Sequence, residues 1–318
     1  GVGTVLAFLP IIVLFFLFMG VVEDSGYLSR AAFIMDAFMG RLGLDGRAFV
    51  MQLMGFGCNV PALMGTRVMR SRSLRLLTML IIPFSLCSAR LQVFVFLTTA
   101  VFSPERAPFV LFSLYVMSFA AAFLTAALYR RRLPNDEPLL LELPPYRLPT
   151  PRQVMLRGVH ESREFLKGAS GFILAGVVLV WFLTHYPFDA VPASGETLAG
   201  QLAGWMAPLF APIGIDDLMS IALLFGFVAK EVVIGALAVI YGTSESALSG
   251  IIGAQFTWVE AYSFMLFVLI YTPCLSTIAV LRRESRSWRF TALAVLWPLA
   301  LAWVVSFVFY RTAIFLTA

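Results

Sequence analysis

Charge is scarce in this 318-residue chain: 13% of its residues are charged and 60% hydrophobic, and the mean hydropathy is +0.89. A soluble domain runs at roughly 25% charged and 45–50% apolar, so no stretch here is polar enough to fold as a separate water-soluble core. Lysine is almost absent, with Lys167 and Lys230 alone, and the net charge of +5 rests on arginines gathered between apolar runs. That pattern suits cytoplasmic loops of a membrane protein and excludes a nucleic-acid partner. The two histidines, His160 and His185, lie on either side of an apolar run, which argues against a histidine metal cluster or a hydrolase base. The three cysteines, Cys58, Cys87 and Cys274, have no secreted disulfide spacing and read as unbridged thiols or metal ligands. No Gly-x-x-x-x-Gly-Lys-Ser/Thr loop occurs, which excludes a nucleotide engine of that kind. The first apolar run lacks a charged leader and a cleavage site, so it reads as a span. With Gly1 in place of an initiator Met, the chain reads as cut from something longer.

What is present is a series of apolar runs. A span takes about 20 residues to cross roughly 30 Å of hydrocarbon, and eight runs qualify: Leu6–Val22, Ala48–Gly65, Leu76–Val101, Pro108–Tyr129, Ala169–Tyr186, Leu218–Tyr241, Ala261–Leu281 and Phe290–Phe309. Two of these are poor simple helices, because Ala48–Gly65 holds Gly55, Gly57, Asn59 and Pro61, and Leu218–Tyr241 carries Lys230 and Glu231 at its middle. The arginine clusters Arg67–Arg75, Arg130–Arg132 and Arg282–Arg289 should all be cytoplasmic, whereas Pro187–Asp217 and Gly242–Glu260 carry acids without bases and should lie outside. Eight simple crossings put the last cluster on the wrong side. Agreement returns if both broken segments are re-entrant.

The order span, broken segment, span then occurs twice in opposite orientation, the inverted repeat of many secondary transporters. Gly55-Phe-Gly-Cys-Asn-Val aligns with Gly226-Phe-Val-Ala-Lys-Glu, and Pro83 to Cys87 aligns with Pro273-Cys274. The expected architecture is an all-α, polytopic helical membrane protein with two inverted repeats, each containing a broken or re-entrant helix. Residues 1–101 form the first repeat and 169–289 the second. Residues 102–168 supply a span and a Pro/Arg-rich cytoplasmic linker ending in a surface helix that starts no earlier than Gln153, and 290–318 the last span.

Irregular backbone at membrane depth is tolerated only where protein or a water-filled cavity covers it, so the broken segments are expected to line a permeation path. Gly55, Gly57 and Pro61 loosen the first segment, and its freed carbonyls join the Cys58 sulfur and Asn59 oxygen as a mixed ligand set. Cys87 and Cys274 each sit near a proline inside a span. Thiolate is a soft ligand that prefers ferrous iron, zinc or copper to magnesium or calcium, although a single cysteine in a membrane helix is more often a small apolar filler. Charges at the bilayer centre cost several kcal/mol unless paired or hydrated. Lys230 and Glu231 are therefore either an ion-path element or a structural ion pair, and Arg90 reads as a structural charge that pairs an acid or caps broken-helix carbonyls. Glu23 and Asp24 close the first span. Met51, Met54 and Met64 could be soft ligands, but methionine on an apolar face is usually packing.

These motifs resemble one family, the ferrous iron transporter B (FeoB) proteins of bacteria. The matching stretches are Glu23-Asp-Ser-Gly-Tyr-Leu-Ser-Arg-Ala-Ala-Phe, Gly55-Phe-Gly-Cys-Asn-Val-Pro-Ala, Pro83-Phe-Ser-Leu-Cys-Ser-Ala-Arg-Leu, Gly226-Phe-Val-Ala-Lys-Glu-Val-Val and Tyr271-Thr-Pro-Cys-Leu-Ser-Thr-Ile-Ala. The resemblance implies a multi-pass permease of the bacterial cytoplasmic (inner) membrane that imports ferrous iron, Fe2+ being the transported substrate, through two gate repeats. It places Cys58, Cys87 and Cys274 on the iron path with the acidic positions Glu23, Asp24 and Glu231. Members usually carry an N-terminal GTPase domain and a further span ahead of the position of Gly1, so GTP and Mg2+ would belong to that domain. Its partners would be that domain, small cytoplasmic accessory proteins and further copies of the chain. Gln92 departs from the family pattern, which has proline after Ala-Arg-Leu.

Two other readings compete. The gate repeats also resemble proteins associated with nucleoside recognition, and Lys230, Glu231, Asn59 and Gln52 offer hydrogen bonds for a base or ribose, but a nucleoside gives no reason for three cysteines at helix breaks. A non-transporting anchor for a cytoplasmic domain needs neither midplane charges nor broken helices. An enzyme is not expected, because no pair of nucleophile and base stands out.

Overall fold

Helix breaks, more than helices, organise this chain. The computed structural model describes residues 2–133, 146, 148–187, 196–228, 230, 232–241, 243 and 245–317. Fifteen α-helices and no strand occur among them. The first series is α1 (Val2–Asp24), α2 (Tyr27–Gly40), α3 (Gly46–Gly57), α4 (Asn59–Gly65), α5 (Arg72–Ile81), α6 (Ser88–Val101) and α7 (Ala107–Tyr129). The second is α8 (Pro151–His185), α9 (Leu198–Phe210), α10 (Asp217–Val228), α11 (Val232–Ile240), α12 (Glu245–Gln255), α13 (Trp258–Ile270), α14 (Leu275–Ser285) and α15 (Trp288–Thr317).

The two series follow one plan. A long helix is followed by a short one, then by a broken pair, then by a second broken pair and a closing span, with α12 added between the two broken pairs of the second series. The turn from α2 to α3 uses Gly43 at φ 76°, and the turn from α9 to α10 uses Gly214 at φ 74°, a left-handed conformation open to glycine without a Cβ clash. Two residues later an aspartate starts the next helix in each case. Asp45 accepts from the backbone N–H of Ala48 at 3.0 Å, and Asp216 accepts from Met219 at 2.7 Å. Such a cap contributes about 1 kcal/mol by satisfying a donor that the helix itself leaves open. The Gly-Leu-Asp and Gly-Ile-Asp triplets therefore extend the repeat upstream of the gate motifs.

Both suspect segments are broken as expected. α3 stops at Gly57 because Cys58 is extended (φ −151°, ψ 130°), and α4 restarts at once with Pro61 in its first turn, where a missing N–H costs no helical bond. α10 ends at Val228 and α11 begins at Val232, with Lys230, the one described residue between them, in a turn. At 1.5 Å per residue the 12-residue α3 and α10 are about 18 Å long, too short to cross the hydrocarbon.

The spans Leu76–Val101 and Ala261–Leu281 are interrupted too. A 3₁₀ turn over Ile82–Phe84, containing Pro83, ends α5, and Ser85, Leu86 and Cys87 are non-helical before α6. Residues 271–274 are non-helical between α13 and α14. Other elements also differ from the sequence reading. The expected outer loops Pro187–Asp217 and Gly242–Glu260 contain α9 and α12, since acids at the ends of these stretches mask their apolar middles. The linker helix begins at Pro151, not Gln153, because proline suits the first helical position. It continues without a stop through Ala169–Tyr186 as the 35-residue α8. Part of the expected linker, residues 134–145 and 147, lies outside the described residues.

Among the described residues, four helices are long and apolar enough to cross a membrane: Arg72–Val101, Ala107–Tyr129, Trp258–Ser285 and Trp288–Leu316. A fifth arises if α9 with its 3₁₀ extension and α10, bent by 104°, count as one span. The apolar window of Trp258–Ser285 is 78% buried inside the protein and that of Trp288–Leu316 only 28%, which makes the first a core element and the second a lipid-facing one.

Two compact units result. Unit 1 holds Gly1–Cys87, Ala120–Leu174 and Ser276–Trp288; unit 2 holds Ser88–Phe119, Ala175–Leu275 and Arg289–Ala318. The units differ from the sequence repeats, because α6 belongs to unit 2 and most of α14 to unit 1. In unit 1, α2 packs on α3. In unit 2, α9 packs on α10 and α6 on α12 and α13. Unit 2 is pinned by side-chain bonds to helix-end carbonyls: Ser263 Oγ donates to Ile213 O at 2.6 Å, and Trp303 Nε1 to Leu209 O at 2.9 Å.

Candidate permeation site at the helix breaks

Each unit brings two helix breaks side by side. In unit 1 the α3/α4 break meets the α5/α6 break. Gly55 is buried where a Cβ would lie 2.6 Å from Ser85 Oγ, so only glycine admits this approach. Ser85 Oγ in turn donates to Gln52 O at 3.0 Å. With its amide oriented to donate, Asn59 Nδ2 lies 3.1 Å from Gly55 O and 3.2 Å from Ile82 O. One side chain thus satisfies the last carbonyls on both sides of the junction, groups that a broken helix leaves open. Cys58 and Cys87, both half-buried, flank this junction, each directly before the first residue of a helix. Gln52 is 1% exposed, and neither end of its carboxamide has a hydrogen-bond partner in the protein. Burying such a group unpaired costs about 1–3 kcal/mol.

In unit 2 the break after α10 meets the break between α13 and α14. Gly226 is again the residue of close approach, since a Cβ there would lie 2.7 Å from Tyr271 Oη. Lys230, 3% exposed, takes the place of Asn59: its Nζ donates to Thr272 O at 2.8 Å and sits 3.1 Å from the centroid of the Tyr271 ring. A carbonyl and an aromatic face together replace part of the lost hydration of the ammonium. Arg90, 1% exposed, interacts electrostatically with Tyr271, as does Cys274. Tyr271 Oη itself is buried without a partner.

The structure therefore separates the sequence candidates. Cys58, Gly55 and Asn59 share the unit 1 junction with Cys87, and Pro61 is buried in the first turn of α4. Gly57 serves packing, since a Cβ there would lie 2.0 Å from the Phe15 ring of α1. Cys274, Lys230 and Arg90 share the unit 2 junction. Glu23 and Asp24 are exposed at the end of α1, and Glu231 lies outside the described residues. Among the described residues, no three His, Cys, Asp or Glu side chains converge as a ready-made metal site. Ser85, Tyr271 and Thr272 went unassigned in the sequence reading, although the run Tyr-Thr-Pro-Cys carries the signal: two polar residues and a proline directly before a cysteine.

These features define a class: an α-helical, multi-pass membrane protein whose two repeats each fold back on paired helix breaks. A family model described as "Nucleoside recognition", named Gate, matches residues 5–102 and 166–288, and one described as "Ferrous iron transport protein B C terminus" matches residues 111–160. The chain is 53% identical over 98% of its length to the "Fe(2+) transporter FeoB" of Synechocystis sp., covering 51% of that protein. It is 40% identical over 97% of its length to the "Fe(2+) transporter FeoB" of Methanocaldococcus jannaschii, covering 48% of it. To the "Fe(2+) transport protein A/Fe(2+) transporter FeoB fusion protein" of Porphyromonas gingivalis it is 37% identical over 99% of its length, covering 43% of it. No solved structure matches the chain significantly. The chain belongs to the gate family and, within it, to the FeoB proteins, whose C-terminal membrane region it represents. It spans about half the length of the curated relatives it matches.

Proposed function

We propose that this region is the permease of a ferrous iron importer in the bacterial cytoplasmic membrane, with the iron path running along the helix breaks. The observation that carries the proposal is that all three cysteines stand at breaks, each directly before a helix. Thiolate sulfur with amide and backbone oxygen suits a borderline divalent ion that must bind and leave again. The unit 1 junction is the better ligand set, because Cys58, Cys87, Gln52 and the local carbonyls are joined there by a neutral Asn59. At the unit 2 junction Lys230 and Arg90 put positive charge beside Cys274, and Glu231 is the acid placed in sequence to offset it. Glu23 and Asp24, exposed at the end of α1, would gather cations at the membrane surface.

The energy source follows from the family resemblance, and one accessory partner from a relative. The family's GTPase domain, binding GTP with Mg2+, would act from the cytoplasm, and the fusion protein of P. gingivalis supports a small transport protein A as an accessory partner. Further copies of the chain are a third partner. We assign no catalytic step to this chain's residues.

Anaerobic uptake of Fe2+ into proteoliposomes containing the full-length parent tests the reading, with Cys58→Ser and Glu231→Gln as variants and Mn2+, Zn2+ and uridine as competitors. Selective Fe2+ uptake that both variants lose supports the path. Uridine competition with a silent cysteine variant would transfer the site to a nucleoside, the substrate class in the description of the gate family model.

A further inference from the structure

Unit 1 contains a second built feature with no part in the permeation path. A cavity of about 630 Å³ is lined by Arg67, Arg70, Arg72, Arg75, Arg283 and Arg286 against one acid, Glu284, with Met69 and Leu76 as its apolar wall. Glu284, its side chain only 5% exposed, organises three of the arginines. Arg67 grips it with both forks, its Nε lying 2.8 Å from Oε2; Arg75 donates to Oε2 at 2.6 Å, and Arg283 Nε lies 3.4 Å from Oε1. Arg70, Arg72 and Arg286 have no acidic partner among the described residues. The Nε of Arg75 is buried without a hydrogen-bond acceptor.

A preference for arginine in cytoplasmic loops accounts for the residue type but not for this arrangement. Solvated loop charges spread apart, whereas here two segments of chain, residues 67–76 and 283–286, converge on one hollow around a buried carboxylate that is already saturated. The surplus of five positive charges in one cavity is self-repelling unless an anion joins it. Guanidinium forks match the paired oxygens of a phosphate. Arg72 opens one membrane-crossing stretch and Ser285 closes another, so the cavity stands at the depth of lipid headgroups, where basic pockets between helices take anionic lipids.

We propose that this cavity is a phosphate-binding site, filled by the phosphodiester of an anionic lipid headgroup or by a soluble phosphate. The proposal is independent of what the permease carries. The test uses the full-length parent in neutral detergent, following its apparent unfolding temperature while cardiolipin, phosphatidylcholine or inorganic pyrophosphate is titrated in. Arg70→Gln/Arg72→Gln removes two charges from the cavity, and Arg131→Gln/Arg132→Gln removes two from a basic cluster that does not line it. Cardiolipin or pyrophosphate is expected to raise the transition, with at least a tenfold weaker half-point in the cavity double variant and none in the control. If the cavity double variant fails to fold, Arg286→Asn substitutes for it, because asparagine tolerates the left-handed backbone of Arg286 (φ 53°). A response to cardiolipin alone assigns the site to lipid, and a response to pyrophosphate that also displaces cardiolipin assigns it to soluble phosphate. No shift with either anion, an equal loss in both double variants, or an equal response to phosphatidylcholine overturns the proposal.

Discussion

The two junctions of helix breaks are built to the same plan and differ in charge. In unit 1, Asn59 reaches from the first break to a carbonyl at the second; in unit 2, Lys230 makes the same reach to Thr272 O. The amide closes its junction without charge and leaves cysteine sulfur, a buried carboxamide and carbonyls for a cation. The ammonium, with Arg90 close by, makes its junction electropositive. A unit charge about 4 Å from another costs or contributes roughly 4 kcal/mol at an effective dielectric of 20, so the neutral junction is the more favourable of the two for a cation.

Moving the charge across should break this comparison most sharply. Asn59→Lys places an ammonium beside Cys58, and Fe2+ uptake by the full-length parent is expected to fall on the order of 100-fold or more; unchanged uptake would move the path away from the unit 1 junction. Next in size is Cys58→Ser, which exchanges a soft ligand for a hard one, with an expected loss of about tenfold or more in uptake and a weaker preference for Fe2+ over Mn2+. Lys230→Met leaves Thr272 O and the Tyr271 face without their cation. It should lower stability by about 1–3 kcal/mol, read as a lower apparent unfolding temperature, whereas Asn59→Ala should cost at the lower end of that range because a neutral bond is lost. The smallest effect sharpens the parallel: Asp45→Ala and Asp216→Ala each remove a helix cap and should each cost about 1 kcal/mol. Clearly unequal costs would show that the matching turns are not energetically equivalent.

Several parts of this organisation were legible in the residues. Glycine, asparagine and proline in close succession gave the α3/α4 break, and a charged pair in an apolar run gave the α10/α11 break, because each violates what a membrane helix tolerates. The interruptions at Cys87 and Cys274 were less visible. Pro83 and Pro273 signal them, but a single proline in an apolar run is also compatible with a kinked helix. α9 and α12 were less legible because acids without bases in Pro187–Asp217 and Gly242–Glu260 mark those stretches as outer loops. α8 ran past its expected start and its expected interruption because proline at a first helical position starts a helix as readily as it stops one.

The sequence by itself determined the solvent, the repeat and the helix breaks, since hydropathy, arginine placement and the glycine, proline and asparagine motifs are local properties that the bilayer reads residue by residue. Only the tertiary structure decided which break meets which. The reach of Asn59 to Ile82 O and of Lys230 to Thr272 O joins residues far apart in the chain, and so does the gathering of Arg67 and Arg75 on Glu284. Such pairings depend on how short helices pack once breaking has left their end carbonyls to be satisfied, and no local pattern encodes the partner.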